Sequence, residues 1–447
     1  MYNQFCLGKT PVFFVALLQL AGVTLAPAAI AQNDFFADIE VSNDDNAVDE
    51  TKWHYKGYVQ QKLKYGIDTP DQQFQFSRDE AGLTQVRTDI FNEITYRQTD
   101  NLNWVISAKI EIDALEWESG TQQWELKKPD FFLKDAYVDW VFGNDQWLRV
   151  GHQLFAWGES EMLAISDVMS PYDTREFSQT ELRDLREQVP ALLYSFPIAG
   201  GKLSFVSTLD AGHNRYARSN EEFSPDVIPS TIMLQEQDPE KRWEAAIKYD
   251  YFLNGGDLRI LLADVNDNNL TPGLDSNFNV FLEQHRVQVL AVAANRVIGS
   301  FQFKTEVGLR KGQQINIGIE EDQLRAMLGL EYTGFNDWLF SIEADTIQGQ
   351  KVSYDDRMFS EPTKTDTYGG NLHIQNTAWN ERLTQNWWYF HMLNDDGNIF
   401  RWDASYDLND SWELSAALVI YNKDADEGQL YPYRDNDTFN LAAKFSF

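Results

Sequence analysis

Most of the chain consists of segments of about ten residues in which apolar and polar side chains alternate one by one. In one segment, Trp104, Ile106 and Ile110 alternate with polar residues such as Lys109. This period places the apolar side chains on one face of a β-strand and the polar side chains on the other. About 18 such segments follow one another over 53–447, and a count of roughly 16 is also possible. The pattern predicts an all-β fold with many short strands.

The connections between these segments alternate in length along the chain. Turns such as Gly143-Asn144 and Asn254-Gly255 are short, whereas the connections on either side of them are long. A transmembrane up-and-down antiparallel β-barrel needs this alternation, because tight turns lie at the periplasmic rim and long loops lie outside the cell. A soluble β-sandwich or propeller would not need loop length to follow strand number. The long connections are predicted at 66–81, 117–129, 157–189, 212–241, 267–281, 312–322, 350–367 and 424–435.

The last predicted strand ends in an aromatic residue. Odd positions from Phe439 to Phe447 are apolar, and the even positions between them are polar or small. A strand of this kind suits the closing position of a membrane barrel, where its outer face meets lipid. It also resembles the C-terminal signal through which the barrel assembly machinery recognises outer-membrane barrels. We therefore expect Phe445 and Phe447 to act as an assembly signal.

The beginning of the chain has the features of a secretory signal peptide. Lys9 precedes an apolar run from Pro11 to Leu25, and Ala29-Ile30-Ala31 fits the small-x-small pattern of a cleavage site. The run of about 15 residues is shorter than the roughly 20 that a spanning helix needs. The predicted divisions are a signal peptide at 1–31, an acidic periplasmic stretch at 32–52 and the barrel at 53–447.

Charge and cysteine content exclude several kinds of protein. Cys6 is the only cysteine and lies in the predicted signal peptide, so the barrel can have neither disulfides nor a thiolate metal site. The chain has 37 basic and 69 acidic residues, a balance that argues against a nucleic-acid partner. Its 14 Trp, 19 Tyr and 29 Phe residues suit the aromatic girdles of a membrane barrel. We expect no cofactor and no metal.

The polar faces of the predicted strands carry nearly as many acids as bases, so the negative charge must lie mainly in the loops and the N-terminal stretch. If the apolar faces meet lipid, these charged side chains line the lumen. Barrels of 16 to 18 strands leave an aqueous channel, so the pattern favours passive diffusion of small hydrophilic solutes. Bases expected on the pore wall are Arg87, Lys109, Arg149, Arg242 and Lys248.

The predicted loop 157–190 interrupts the barrel pattern. A connection this long is usually functional or disordered, and this one has many apolar and aromatic side chains. We therefore expect it to fold inward as a constriction loop. Its charges have both signs, so they would either create a transverse field opposite Arg149 and Lys248 or pair with one another and plug the barrel. The candidate constriction residues are Trp157, Glu159, Glu161, Asp167, Asp173, Arg175, Arg183 and Arg186.

Motifs in and before this loop resemble a known family. Val150-Gly151-His152-Gln153, Trp157-Gly158-Glu159 and the run from Asp167 to Asp173 are similar to motifs of porin-like outer-membrane proteins of proteobacteria, whose layout is similar to that of alginate-export porins. His152 stands where that family usually has an arginine. The resemblance implies an outer-membrane channel with an inward constriction loop. The alternative that this resemblance leaves open is a channel that exports or takes up one specific substrate, for example an anionic polysaccharide.

No enzyme is expected. The six histidines are scattered along the chain, and the sequence has neither a G-x-S-x-G nor an H-E-x-x-H motif. The alternative from a different class is a structural or adhesive barrel that uses its acidic loops. The sequence thus predicts a passive channel in the outer membrane of a Gram-negative cell. Its expected partners are lipid and lipopolysaccharide, and a homotrimer is the oligomeric state to test.

Overall fold

The computed structural model describes residues 51–67, 82–114, 116–118, 123–125, 129–161, 163, 165–175, 182–217, 223, 235–274, 280–354, 366–393, 397–422, 430 and 433–447. The predicted signal peptide and nearly all of the predicted acidic stretch lie outside these residues. In the part of the chain that is described, no helix has both the length and the apolar character needed to cross a membrane.

Eighteen strands form one antiparallel sheet that closes on itself. Strands that follow one another in the chain are neighbours in the sheet, and the last strand pairs with the first. This confirms the predicted up-and-down barrel and its strand number. The strands are β1 (Trp53–Gly66), β2 (Gly82–Thr99), β3 (Leu102–Asp113), β4 (Asp130–Phe142), β5 (Gln146–Gln153), β6 (Val189–Ile198), β7 (Gly201–Thr208), β8 (Glu244–Leu253), β9 (Gly256–Asn266), β10 (Arg286–Ile298), β11 (Phe301–Asn316), β12 (Ile319–Tyr332), β13 (Trp338–Tyr354), β14 (Asp366–Ala378), β15 (Leu383–Met392), β16 (Gly397–Asn409), β17 (Trp412–Tyr421) and β18 (Thr438–Ser446).

Short elements lie in the connections between the barrel strands. A two-stranded hairpin follows β3, and a separate three-stranded sheet lies in the connections on either side of β8 and β9. One helical turn, α1 (Leu182–Leu185), precedes β6. The short strands are Glu116–Glu118, Gln123–Glu125, Gln235–Gln237, Thr271–Leu274 and Val280–Glu283.

The two faces of the barrel strands differ as the alternation predicts. On β3, Trp104 and Ile106 are 47% and 53% exposed, whereas Ser107 and Lys109 on the other face are each 1% exposed. Large apolar side chains point outward in the same way along most of the other strands. A continuous apolar belt of this size is unfavourable in water and matches the lipid-facing band of a membrane barrel.

Aromatic side chains gather at the rim that carries the tight turns. Rings with a polar edge or hydroxyl are favoured at a membrane–water interface, because one part of the ring meets lipid and the other meets water. Their arrangement therefore suits one of the two girdles expected of a membrane barrel. Closely packed pairs, with ring centres 4.4 to 5.1 Å apart, are Trp53 with Tyr96, Trp140 with Phe142, Phe301 with Tyr332, and Trp412 with Phe445.

One predicted loop is wrong. The segment 312–322 was expected to be a long connection, but β11 continues to Asn316, β12 begins at Ile319, and a tight turn joins them at the rim that otherwise carries the long loops. Gly318 in this turn has a φ of 64°, a left-handed conformation that favours glycine. The paired backbones extend past two irregularities in register after Arg310. Polar residues obscure the strand signal here, although the backbone hydrogen bonds of the ladder continue.

The barrel closes between β1 and β18. Beyond their paired residues, Gly57 and Phe447 exchange two backbone hydrogen bonds of 2.9 Å each. The ring of Phe447 covers Gly57, where an added Cβ atom would come within 3.0 Å of the ring. The same ring lies 5.7 Å from that of Tyr55 and 6.0 Å from that of Phe445. The predicted assembly residues therefore lie at the seam, on the rim with the tight turns.

We expect Phe447→Ala to reduce severalfold the fraction of chains that reach the folded barrel, because the ring that covers the seam would be lost. The measurement is the heat-modifiable shift of the folded barrel on a denaturing gel after expression. Phe439→Ala is the matched control, since Phe439 lies on the same face of β18 but away from this rim. Equal folded fractions for the two variants would contradict the assembly role.

Candidate pore constriction

The connection between β5 and β6 folds into the barrel. Its apolar side chains, among them Ile165 and Met169, are buried against the inner wall from β6 to β13. Inward-facing residues of that wall, such as Leu261 and Val287, are fully covered. Most of the wall residues that the loop covers are apolar, because burying apolar surface is favourable and burying uncompensated charge is costly. Residues 154–188 are called the constriction loop below.

The tip of the constriction loop reaches the wall almost opposite its origin. The backbone N–H of Glu159 donates to Glu306 of β11 at 3.0 Å, and that of Glu161 donates to Glu343 of β13 at 2.9 Å. The hydroxyl of Ser160 also donates to Glu343, at 3.3 Å. In a ring of 18 strands, β13 lies nearly across from β5. The constriction loop therefore spans the lumen.

The returning half of the constriction loop is attached to the wall formed by β1 to β3. Asp184 of α1 lies 2.6 Å from Nζ of Lys109, which also contacts Asp89 at 3.4 Å and Glu111 at 3.1 Å. Burial alone would raise the pKa of Asp184, but the ammonium groups of Lys109 and Lys62 hold it below its ordinary value. Asp184 is therefore a carboxylate that anchors the loop to β3.

The other predicted residues of this region join the same network. Arg175 contacts Asp173 at 2.6 Å and reaches Glu111 of β3 at 3.5 Å. Arg87 of β2 contacts Asp89 at 3.0 Å. The structure therefore brings Arg87, Arg175 and Asp173 together with the ion pairs around Lys109, on one side of the lumen.

Asp167 and Arg186 form an ion pair inside the constriction loop, with side chains 4% and 3% exposed. Asp167 also accepts hydrogen bonds from the backbone N–H groups of Trp157 and Gly158. The guanidinium of Arg186 lies 4.5 Å from the ring centre of Tyr172. Burial would lower the pKa of Arg186, but the Asp167 carboxylate raises it above its ordinary value. This pair holds the two halves of the loop together.

Two predicted wall bases lie nearer the rim with the tight turns. Lys248 of β8 is 2.9 Å from Asp250, and its Nζ lies 5.4 Å from the ring centre of Trp157. Arg149 of β5 is 2.9 Å from Asp139. Each of these bases therefore has an acidic partner on its own or the adjacent strand.

Glu159 pairs with a wall base that was not among the predicted site residues. Its carboxylate lies 3.3 Å from Arg259 of β9, which also contacts Asp250 at 2.9 Å. Burial raises the pKa of Glu159, and Arg259 offsets part of that effect. The contacts favour the interpretation in which loop and wall charges pair, rather than a field between separated charges.

One predicted wall base, Arg242, is not part of this arrangement. Arg242 precedes β8, which begins at Glu244, and contacts Asp210 at 3.2 Å and Asp238. Its side chain is 51% exposed, so it lies beyond the strand and not on the covered wall. The side chain of Arg183 lies outside the described residues.

A second cluster covers another part of the inner wall. Phe223, Leu430 and Tyr433, from the connections after β7 and β17, pack against inward-facing residues such as Trp388 and Tyr421. These contacts could not be predicted from the sequence, because isolated aromatic residues in long loops carry no periodic signal. The outer half of the lumen is therefore narrowed by more than one loop.

Comparison with protein-family models finds no match to this sequence, and comparison with curated proteins finds none either. Comparison with solved structures does find similar folds. The chain is similar to Acinetobacter baumannii OccAB3 (9% identity, TM-score 0.53, 88% of this chain and 99% of that chain). It is also similar to Pseudomonas aeruginosa OpdK, solved with vanillate (10% identity, TM-score 0.51, 88% and 98%). These likenesses confirm the porin-like barrel as a fold. Similarity to alginate-export porins stays a prediction.

Proposed function

We propose that this protein is an outer-membrane porin for passive passage of small hydrophilic solutes, with the constriction loop setting the size limit. The observation that carries the proposal is a folded loop that spans an 18-strand closed barrel and is attached to the wall on both sides. A barrel of this strand number without such a loop would enclose a wide aqueous channel. A loop attached across it would admit solutes by size.

The paired charges of the lumen support passive and weakly selective passage. Lys248 with Asp250 and Arg149 with Asp139 compensate each other on the wall, and Glu159 with Arg259 does so between loop and wall. A solute that meets balanced charges is bound weakly, and weak binding allows it to leave as readily as it enters. A net field that concentrates one kind of ion would need unbalanced charge.

The outer surface supports the proposed location in the outer membrane. The apolar belt would contact lipid tails, and the aromatic girdle at the tight-turn rim would lie at the periplasmic interface. Lipopolysaccharide would then surround the opposite rim. The predicted homotrimer is tested by chemical cross-linking in membranes.

The alternative of a channel for an anionic polysaccharide draws its support from the arginines of the loop. Arg175 is paired with Asp173, and Arg186 is paired with Asp167. These positive charges are compensated within the loop, so they do not favour a track for a polyanion. We therefore rank passive diffusion above specific polysaccharide transport, and both above a structural or adhesive barrel and above an enzyme.

Reconstitution in planar lipid bilayers tests the proposed function. We expect discrete conductance steps with a weak to moderate preference for cations, because the lumen is balanced while the loops are acidic. The reversal potential in a salt gradient measures this preference. Strong anion selectivity would contradict the balanced lumen, and a correctly folded barrel without steps at any voltage would favour a plugged or structural barrel.

A further inference from the structure

Glu161 at the tip of the constriction loop lies beside another carboxyl group. Its Oε2 is 3.5 Å from Nδ2 of Asn371 on β14, and the same nitrogen is 3.5 Å from Oε2 of Glu343. The backbone N–H of Glu161 also donates to Glu343. The side-chain amide of Asn371 is thus the shared hydrogen-bond donor of two neighbouring buried carboxyl groups.

The site around Glu161 has more acceptors than donors. Oε1 of Glu343, Oδ1 of Asn371 and Nδ1 of His373 are buried and have no hydrogen-bond partner among the described residues. Nε2 of His373 lies 3.1 Å from the side-chain Oδ1 of Asn386. Nε2 of a neutral ring therefore carries the hydrogen, and Nδ1 is an acceptor that faces Oε1 of Glu161 at 3.9 Å. A proton on the Glu161 carboxyl would supply the missing donor.

Few positive charges face Glu161 from the surrounding strands. Lys304 of β11 is the base that attracts it, and the ammonium of Lys304 lies 3.1 Å from Glu331 of β12. The other titratable neighbours are Glu343 of β13 and His373 of β14. Burial raises the pKa of Glu161 to about 7, and Lys304 offsets only part of that effect. The electrostatic environment thus agrees with the excess of acceptors.

We propose that a proton held between Glu161 and Glu343 is a latch for the constriction loop: the shared proton holds the tip against β13 and β14, and its loss leaves two adjacent carboxylates and releases the tip. The inference rests on the proposed function, since the latch controls the loop that sets pore size. On docking, the O–H of the protonated member of the pair donates to one of the unpartnered acceptors. On release, the shared proton passes to water, and the two carboxylates that remain repel each other.

The sign of the pH effect follows from the difference between docked and undocked loop. Glu161 in an undocked loop would be exposed to water, with an ordinary carboxyl pKa, whereas docking raises its pKa to about 7. Docking is therefore fully supported below the ordinary pKa and is weakened as pH rises through about 7. The pore should be narrow in acid and wider in mild alkali.

Single-channel recording between pH 5 and pH 9 tests the latch. We expect the wild-type conductance to rise severalfold across neutrality, and Glu161→Gln to hold the low conductance at every pH, because its amide donates without titrating. Glu187→Gln is the matched control: Glu187 belongs to the same loop but pairs with Arg215 at 3.5 Å, so its pH response should match the wild type. A wild-type pH response in Glu161→Gln would overturn the latch.

A labelling experiment tests the latch without relying on conductance. Leu163→Cys places a thiol on a buried residue of the loop in a chain whose only cysteine, Cys6, lies in the predicted signal peptide. The thiol modification rate is compared with that of Leu163→Cys combined with Glu161→Gln, so that the pH dependence of thiol chemistry cancels. We expect the rate for Leu163→Cys, divided by the rate for the double variant, to rise by about tenfold or more from pH 5 to pH 8. A constant ratio would overturn the latch, whereas a rising ratio in a barrel that never conducts would contradict only the porin function.

Discussion

Replacing residues 156–186 with a short Gly-Ser linker should raise the single-channel conductance by roughly threefold or more. The replaced segment contains the tip that reaches β11 and β13 and the helix that contacts β3. Its removal leaves the ends of β5 and β6 close together, because Gln153 and Val189 are paired residues. The barrel wall keeps all its backbone hydrogen bonds, so the change acts on the lumen.

The matched control is the replacement of residues 115–128, which connect β3 and β4, by the same linker. This connection contains the short hairpin outside the main sheet, so its loss removes a loop of the same rim without removing the contacts that span the lumen. We expect little change in conductance for this variant. If the two replacements gave equal conductance in correctly folded barrels, the constriction loop would not limit the pore.

The strands could be predicted because lipid and water impose a simple rule on them. A lipid-facing residue such as Trp104 must be apolar, whereas its neighbours in the chain face the lumen and can be polar. Apolar and polar side chains therefore alternate with a period of two along most barrel strands. Tight turns carry a second local signal, as at Gly143, which has a φ of 59°. Both signals depend only on residues close together in sequence.

The contacts of the constriction loop could not be predicted for the opposite reason. Glu159 and Glu306 are 147 residues apart, and nothing local distinguishes Glu306 from other inward-facing acids. Gly308 leaves the space that the side chain of Ile165 occupies, since a Cβ atom added to Gly308 would lie 2.6 Å from Cγ2 of Ile165. In the sequence, Gly308 is only a small residue within a strand. The inward apolar residues of β10 even weaken the alternation there, because the loop replaces water as their neighbour.

Asp167→Ala should destabilise the docked constriction loop by about 3 kcal/mol or more, the largest effect expected of any single substitution in the loop. The change leaves the Arg186 guanidinium buried without its carboxylate and removes the acceptor for the N–H groups of Trp157 and Gly158. Modification of the Leu163→Cys thiol measures undocking. An increase of the modification rate on the order of 100-fold corresponds to that free energy.

Two further variants separate the ion pair from a general effect of lost charge. Asp210→Ala breaks the pair with Arg242, whose side chains are more than half exposed, and should change the labelling rate little, because exposed pairs contribute about 1 kcal/mol or less. Asp167→Leu combined with Arg186→Met removes both buried charges and should label more slowly than Asp167→Ala, because neither charge is then buried alone. If the double variant labelled as fast as Asp167→Ala, the lost hydrogen bonds to the backbone of Trp157 and Gly158, and not the unpaired guanidinium, would be what releases the loop.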